Sequence, residues 1–301
     1  MIRLKSVQVG NMEFDLDCKK QHEYFTYKDT TLSKATLILG DERKYQILQN
    51  VYDALCITDD FLHMRSYTSH LYYSTVSLNG ETKVTFASNG PIEININNKK
   101  VSLLNIRARF AYITDDNIDD HLYLLGRRRR DYVAYLQSLL KDFDLTVTFS
   151  SDNTITCNDI TYDSIKEFIR SSSRVRGILK GLFAIIHMQV EDGIVLLEDL
   201  DSGIDYETLK ELWVRFLQTT NGRIIATSND AQLLQNKDLF SLCNIQICDG
   251  NDVYKLSEID DIETVDDLYK AYINGKLGGV PDYTTLNFDQ FIDKKIKEVK
   301  N

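Results

Sequence analysis

The feature that most constrains this chain is the alternation of short apolar runs with amphipathic segments in its last third. Ile194–Leu197 is an unbroken apolar run that ends in Glu198-Asp199. "YETLKELWVRFLQTT" follows with helical spacing, then the apolar run of "RIIATSND", a short helix in "AQLLQN", and a further run in "NIQICDG". Short continuous apolar runs bounded by polar residues fit strands buried on both faces. Strands that alternate with helices imply a parallel sheet with right-handed crossovers. "ATLILG", Ala35–Gly40, is a further such strand, and Ile47, Val51 and Leu55 after it have helical spacing. Ligands of open parallel sheets sit at the carboxyl ends of strands, so Gly40, Glu198-Asp199 and Thr227-Ser228 fall on one edge. Asn221-Gly222 is expected to close the helix before the second run, with Gly222 in the left-handed region.

The first half reads mainly as antiparallel β. "IRLKSVQV" alternates, and "YSTVSLNGETKVTFA" carries a hairpin turn at Asn79-Gly80. "PIEININ" and "VSLLNIRARFAYI" continue the pattern as a meander beside the first strand–helix unit. The middle turns helical. "RDYVAYLQSLLKDF" puts Val133, Leu136 and Leu140 on one face, and "DLTVTFSSDNTITCNDITY" returns briefly to β. "SIKEFIRSSSRVRGILKGLFAIIHMQVE" is a helix, a serine-rich break at Arg170–Arg174 and a long apolar helix.

With 301 residues and 43% hydrophobic content, the chain can bury a sizeable core. No apolar run approaches the ~20 residues of a membrane span, and "MIRLKSVQVGNMEF" has no apolar signal region. These features fit a cytoplasmic protein, in which Cys18, Cys56, Cys157, Cys243 and Cys248 are expected to be reduced. A net charge of −10 disfavours nucleic acid, so any such contact is weak. The charge is uneven: Arg127–Arg130 is a basic knot, and Asp249–Asp267 holds eight acids against one lysine. His22, His63, His70, His121 and His187 are isolated, with His187 read as a core histidine; no Ser-His-Asp or Cys-His set stands out.

Three strand ends meeting at one edge is the P-loop nucleotide-binding arrangement. On "MIRLKSVQVGNMEF", "ATLILG", "IVLLEDLDSGID" and "RIIATSNDAQLL", the chain resembles an ABC-type ATPase head of the SMC/RecF/OLD group, in particular the OLD-like bacterial AAA-type ATP/GTP-binding proteins. "LYKAYINGKLGGVPDY" is similar to a tail of that family, with Gly275, Gly278 and Gly279 expected in turns or close backbone contacts. The resemblance implies an α/β P-loop NTPase-like fold with an antiparallel β-meander subdomain and a helical insertion. It implies one head over 1–301: a P-loop lobe (1–60), the meander (61–115), a helical signature-like region (116–180), and Walker B, D-loop, switch strand and tail (181–301).

The resemblance also assigns residues. Gly40 and Lys44 fall in the P-loop, Ser171 in the signature, Glu198-Asp199 in Walker B, Asp201-Ser202-Gly203 in the D-loop, and Asn229 where the switch histidine stands. Each motif is altered at its chemical atom. After Gly40 comes "DERKYQILQ", so the second glycine, the lysine and the Ser/Thr of a P-loop meet Tyr45, Gln46 and Ile47, while Asp41 and Glu42 add negative charge. Ser173 replaces the signature glycine, the Walker B order is inverted to Glu-Asp, and Asn229 cannot take a proton. The expectation is a head that has lost hydrolysis, with Glu198 and Asp199 as the remnant of a catalytic pair and no metal or cofactor. It would act on a protein partner: an active head, an effector or a second copy. Two alternatives stay open. One is a divergent active ATPase that uses ATP and magnesium, with Lys44 as phosphate clamp and Asp199 as base. The other is a TOPRIM-like metal nuclease built on Glu198, Asp249 and Asp252.

Overall fold

Apolar runs that need cover on both faces form the middle of a six-stranded sheet, and the rest of the chain is arranged around it. The structure, a computed structural model, describes residues 4–9, 12–28, 30–59, 73–78, 82–87, 95–96, 99–100, 110–121, 130–150, 154–250 and 252–279. In chain order the elements are β1 (Leu4–Val9), β2 (Met12–Asp15), β3 (Ala35–Gly40), α1 (Arg43–Asp59), β4 (Tyr73–Leu78), β5 (Thr82–Ala87), β6 (Asn95–Ile96), β7 (Lys99–Lys100) and β8 (Phe110–Ile113). There follow α2 (Arg130–Lys141), β9 (Val147–Phe149), β10 (Ile155–Cys157), β11 (Ile160–Tyr162), α3 (Ile165–Arg170), α4 (Ser173–Glu191) and β12 (Ile194–Leu197). The last are α5 (Tyr206–Gln218), β13 (Arg223–Thr227), β14 (Ile245–Asp249), β15 (Asp252–Lys255) and α6 (Leu268–Ile273).

The central sheet has the order β15-β14-β3-β13-β12-β8. It is parallel apart from β15, which turns back along β14. Alternation along β3 divides the core. Leu37 and Leu39 join the large cluster with Leu136 and Leu140 of α2, Leu179, Leu182 and Phe183 of α4, and Leu212 and Trp213 of α5. Ile38 is buried outside that cluster, as are Ile47, Val51 and Leu55 of α1. A second sheet, β2-β1-β4-β5, is antiparallel throughout, and Leu78 pairs with Thr82 across the expected hairpin. The turn residues 79–81 lie outside the described residues, as do most of "PIEININ" and Arg127–Arg129.

Four expectations are corrected. Phe110–Ile113 does not extend the meander but pairs in parallel with β12 as an edge of the central sheet. Its alternation fits either sheet, and only the partner strand distinguishes them. Gly222 does not cap α5, whose C-cap is Thr219. It takes φ +69° in the turn into β13, where its N–H donates to Asp192 Oδ1 at 2.8 Å and a Cβ would lie 2.9 Å from the Gly193 oxygen. Cys18 and Cys243 are joined in a disulfide across 225 residues, with Cα atoms 5.3 Å apart. The same junction is held by the buried Lys255 ammonium on Asp15 at 2.7 Å and by Gln246 Nε2 donating to the Asp15 carbonyl at 2.7 Å. Cys157 and Cys248 are buried free thiols, and the Cys56 side chain lies outside the described residues. Finally, His121 and His187 are not isolated, since Nδ1 of the first is 3.2 Å from Nε2 of the second.

The glycine-rich tail is ordered through Gly279. Gly275, Gly278 and Gly279 take φ of +72°, +70° and +70°, the left-handed region that favours glycine. Tyr272 and Leu277 are buried on either side, and Tyr254 Oη donates to the Leu277 carbonyl at 2.9 Å. A Cβ on Gly279 would sit 2.9 Å from the Cys248 oxygen and 3.0 Å from Gly40 Cα, so the tail lies against the end of β3. Val280, Pro281 and "LNFDQFIDKKIKEV" lie outside the described residues. A chain ending at Asp267 would lose the buried side chains of Leu268, Tyr272 and Leu277, each worth roughly 1.5–3 kcal/mol of burial, and uncover what they pack on. It should melt several degrees lower or be insoluble; unchanged melting of a soluble truncation would make the tail a linker.

Candidate functional site

The site forms where β3, β13 and β12 end side by side, which brings Gly40, Thr227 and Glu198-Asp199 to one edge. Gly40 has φ +115°, and a Cβ there would run into the Cys248 carbonyl, so only glycine fits. Two residues, Asp41 and Glu42, then link β3 to α1. The Asp41 carboxylate is turned onto backbone, accepting from Arg43 N at 2.8 Å and Gly250 N at 2.9 Å, while Glu42 is exposed. The charge that the sequence placed in the loop is therefore partly spent on holding the loop.

So short a link puts Lys44 in the first turn of α1, where it is 2% exposed. Its Nζ donates to the Gly40 carbonyl at 2.9 Å and to Asn229 Oδ1 at 2.7 Å, and lies 5.0 Å from the centre of the Tyr45 ring. Burial pulls the Lys44 pKa down from its ordinary value, against the opposing pull of Asp199 and Asp201.

Each acid at the end of β12 has a tyrosine. The Tyr112 hydroxyl, from the neighbouring β8, donates to Glu198 Oε1. The Tyr45 hydroxyl donates to Asp199 Oδ1 at 2.5 Å, and Asn229 Nδ2 donates to the same oxygen at 2.9 Å. Asn229 thus bridges Lys44 to Asp199, and its backbone N–H donates to Asp201 Oδ1 at 3.0 Å. Asp199 stands in the left-handed region at φ +46°, with its N–H on Thr227 Oγ1 at 3.0 Å. Lys180 of α4, 1% exposed, donates to the carbonyls of Glu198 and Asp199 at 3.0 Å each and pairs with Asp115 Oδ1 at 3.0 Å.

The structure brings Gly40, Lys44, Glu198, Asp199, Asp201 and Asn229 to one edge. Ser202 and Gly203 turn instead against the start of α4: Gly203 has φ +75°, and a Cβ there would lie 2.5 Å from the Ser173 oxygen. The Ser171 hydroxyl caps α3 by donating to the Phe168 carbonyl at 2.7 Å. Asp249, at the end of β14, is three strand spacings from β12, about 14 Å at the usual interval. Among the described residues no group of three or more His, Cys, Asp or Glu is arranged to hold a metal. Sequence reasoning placed Thr227 at this edge but missed Tyr45, Tyr112 and Lys180 as members of this site. Lys180 alone carried a signal, a single charge within an otherwise apolar helix face.

Burial and the neighbouring Asp199 push the Tyr45 phenol from 10.0 up to about 12. A phenol whose pKa is higher in the fold stabilises it fully below pH 10 and loses that contribution as the pH climbs towards 12. Y45F should therefore remove one late-ionising phenol from a tyrosinate absorbance titration. It should also flatten the fall of melting temperature over that alkaline window. Loss of a phenol that ionises near pH 10 instead, with the alkaline fall of melting temperature unchanged, would contradict the Tyr45–Asp199 bond.

No protein-family model matches the chain, and no curated protein sequence matches it. Solved structures do. An SMC head domain from Thermotoga maritima is 14% identical, with a TM-score of 0.51 over 84% of this chain and 98% of that one. An SMC head bound to the C-terminal winged-helix domain of ScpA is 11% identical, with a TM-score of 0.52 over 88% of this chain and 99% of that one. With the largely parallel sheet and the strand-end edge, these likenesses show that the chain has the fold of an ABC/SMC-type ATPase head.

Proposed function

We propose that this head does not hydrolyse nucleotide and serves as a structural or regulatory partner in a larger protein complex. The observation that carries the reading is that both acids at the end of β12 accept from tyrosines of the same chain, Glu198 from Tyr112 and Asp199 from Tyr45. The fold implies magnesium-bound ATP, and the side chains present do not fit it. Backbone N–H groups wrap the phosphates in a working P-loop; here only Asp41 and Glu42 link strand to helix, and the Asp41 carboxylate takes the N–H of Arg43. The Lys44 ammonium is turned back to Gly40 and Asn229 rather than outward.

Partnership is supported by a similar head that is bound to a domain of another protein. The surface offered for docking is the acidic segment. Asp249, Asp252, Glu258, Asp260, Asp261, Glu263, Asp266 and Asp267 are all exposed, while its one lysine, Lys255, is buried on Asp15. Such a face suits a basic partner surface. The tail adds weight to placing the head among the OLD-like proteins.

Calorimetry on the purified chain with ATP and magnesium tests the reading. Binding should be weaker than about millimolar, a free energy short of about −4 kcal/mol. Micromolar binding would sink the proposal and favour the active ATPase, with Lys44 as clamp and Asp199 as base. The double variant E198Q/D199N should stay folded and keep partner binding, since amides can still accept from the two phenols; loss of function in the folded double variant would indicate a working centre.

A further inference from the structure

The ammonium of Lys44 has the surroundings of a bound cation. Its donors point at a backbone carbonyl and an amide oxygen, Gly40 O at 2.9 Å and Asn229 Oδ1 at 2.7 Å. Through Asn229 it is one hydrogen bond from the Asp199 carboxylate, and Asp201 holds the same amide's backbone. Charged groups this deeply buried persist only where partners are supplied, and here the partners come from three strand ends that meet nowhere else. Tyr45 completes the surroundings with its ring face, which attracts cations.

We propose that Lys44 is the resident cation of this edge. It replaces an external ion by a tethered one, so that removing the side chain uncovers a site for a small monovalent cation of the potassium or methylammonium class. Oxygen donors that suit an ammonium at these distances also suit potassium. They suit magnesium poorly, because it demands octahedral oxygens at about 2.1 Å. The charge state of the site is then fixed by the chain itself and does not follow the supply of metal or nucleotide. This rests on the reading of the edge as closed to nucleotide, and it adds what closes it.

The test compares wild type, K44A and K44M by thermal melting at constant ionic strength in potassium, methylammonium or tetramethylammonium chloride. Wild type should melt alike in all three. K44A should melt lower and regain most of the loss in potassium or methylammonium, with the saturable, logarithmic dependence of a bound ligand. It should regain nothing in tetramethylammonium, which is too large. K44M, whose side chain fills the space without charge, should melt lower and stay there. Recovery of K44A equally in all three salts, or no loss on removing Lys44, would overturn the inference. Should K44A not fold, the wild-type Lys44 ammonium signal by NMR decides. Slow hydrogen exchange that is unchanged by magnesium supports the tethered cation, and exchange as fast as a surface lysine refutes it. ATP calorimetry on wild type is scored separately: tight binding there defeats the closed-site reading whatever the melting shows.

Discussion

Two residues between β3 and α1 set the terms for everything at the functional edge. A longer link would swing outward and leave backbone N–H groups facing an open space. This one turns at Gly40, whose conformation only glycine holds, and goes straight into helix. Lys44 then sits four residues after the Gly40 carbonyl that it must reach, one helical turn away, and is buried. The tail reinforces the turn from outside, because Gly279 lies on Gly40 and Cys248.

From that constraint the hydrogen bonds close on themselves. Lys44 reaches Asn229, Asn229 and Tyr45 reach Asp199, and Lys180 holds the backbone of both acids from below. A buried charge without partners costs several kcal/mol, and breaking one member of a buried pair strands the other. The network is therefore coupled, and substitutions within it should not add independently. A set of groups that satisfy one another offers an incoming ligand little, since it would have to replace bonds already made. On the proposed reading the head is a scaffold, and the exposed acidic segment gives it a surface with a definite sign.

Much of the architecture was legible in the sequence. Continuous apolar runs identified β3, β12, β13 and β14, and helical spacing placed Ile47, Val51 and Leu55 in the core, because burial on both faces of a sheet leaves few other patterns. The strand-end rule brought Gly40, Glu198-Asp199 and Thr227-Ser228 to one edge. What stayed hidden depends on pairs distant in sequence. Phe110–Ile113 alternates equally well in either sheet, so its pairing with β12 was not visible. Cys18 and Cys243 are separated by 225 residues with no spacing signal between them. Tyr45 looked like a lost P-loop glycine, and its role appears only once Asp199, 154 positions away, lies beside it. Tyr112 was hidden for the same reason, since its partner Glu198 is on a strand it was not expected to touch.

On the proposed reading, the acids of this edge belong to the chain's own phenols and not to a metal–nucleotide complex. Manganese is a paramagnetic stand-in for magnesium, so electron paramagnetic resonance of the full chain with manganese and ATP tests the claim most directly. The signal of manganese–ATP should be the same with and without protein. A saturable population of protein-bound manganese that disappears in E198Q/D199N would contradict it.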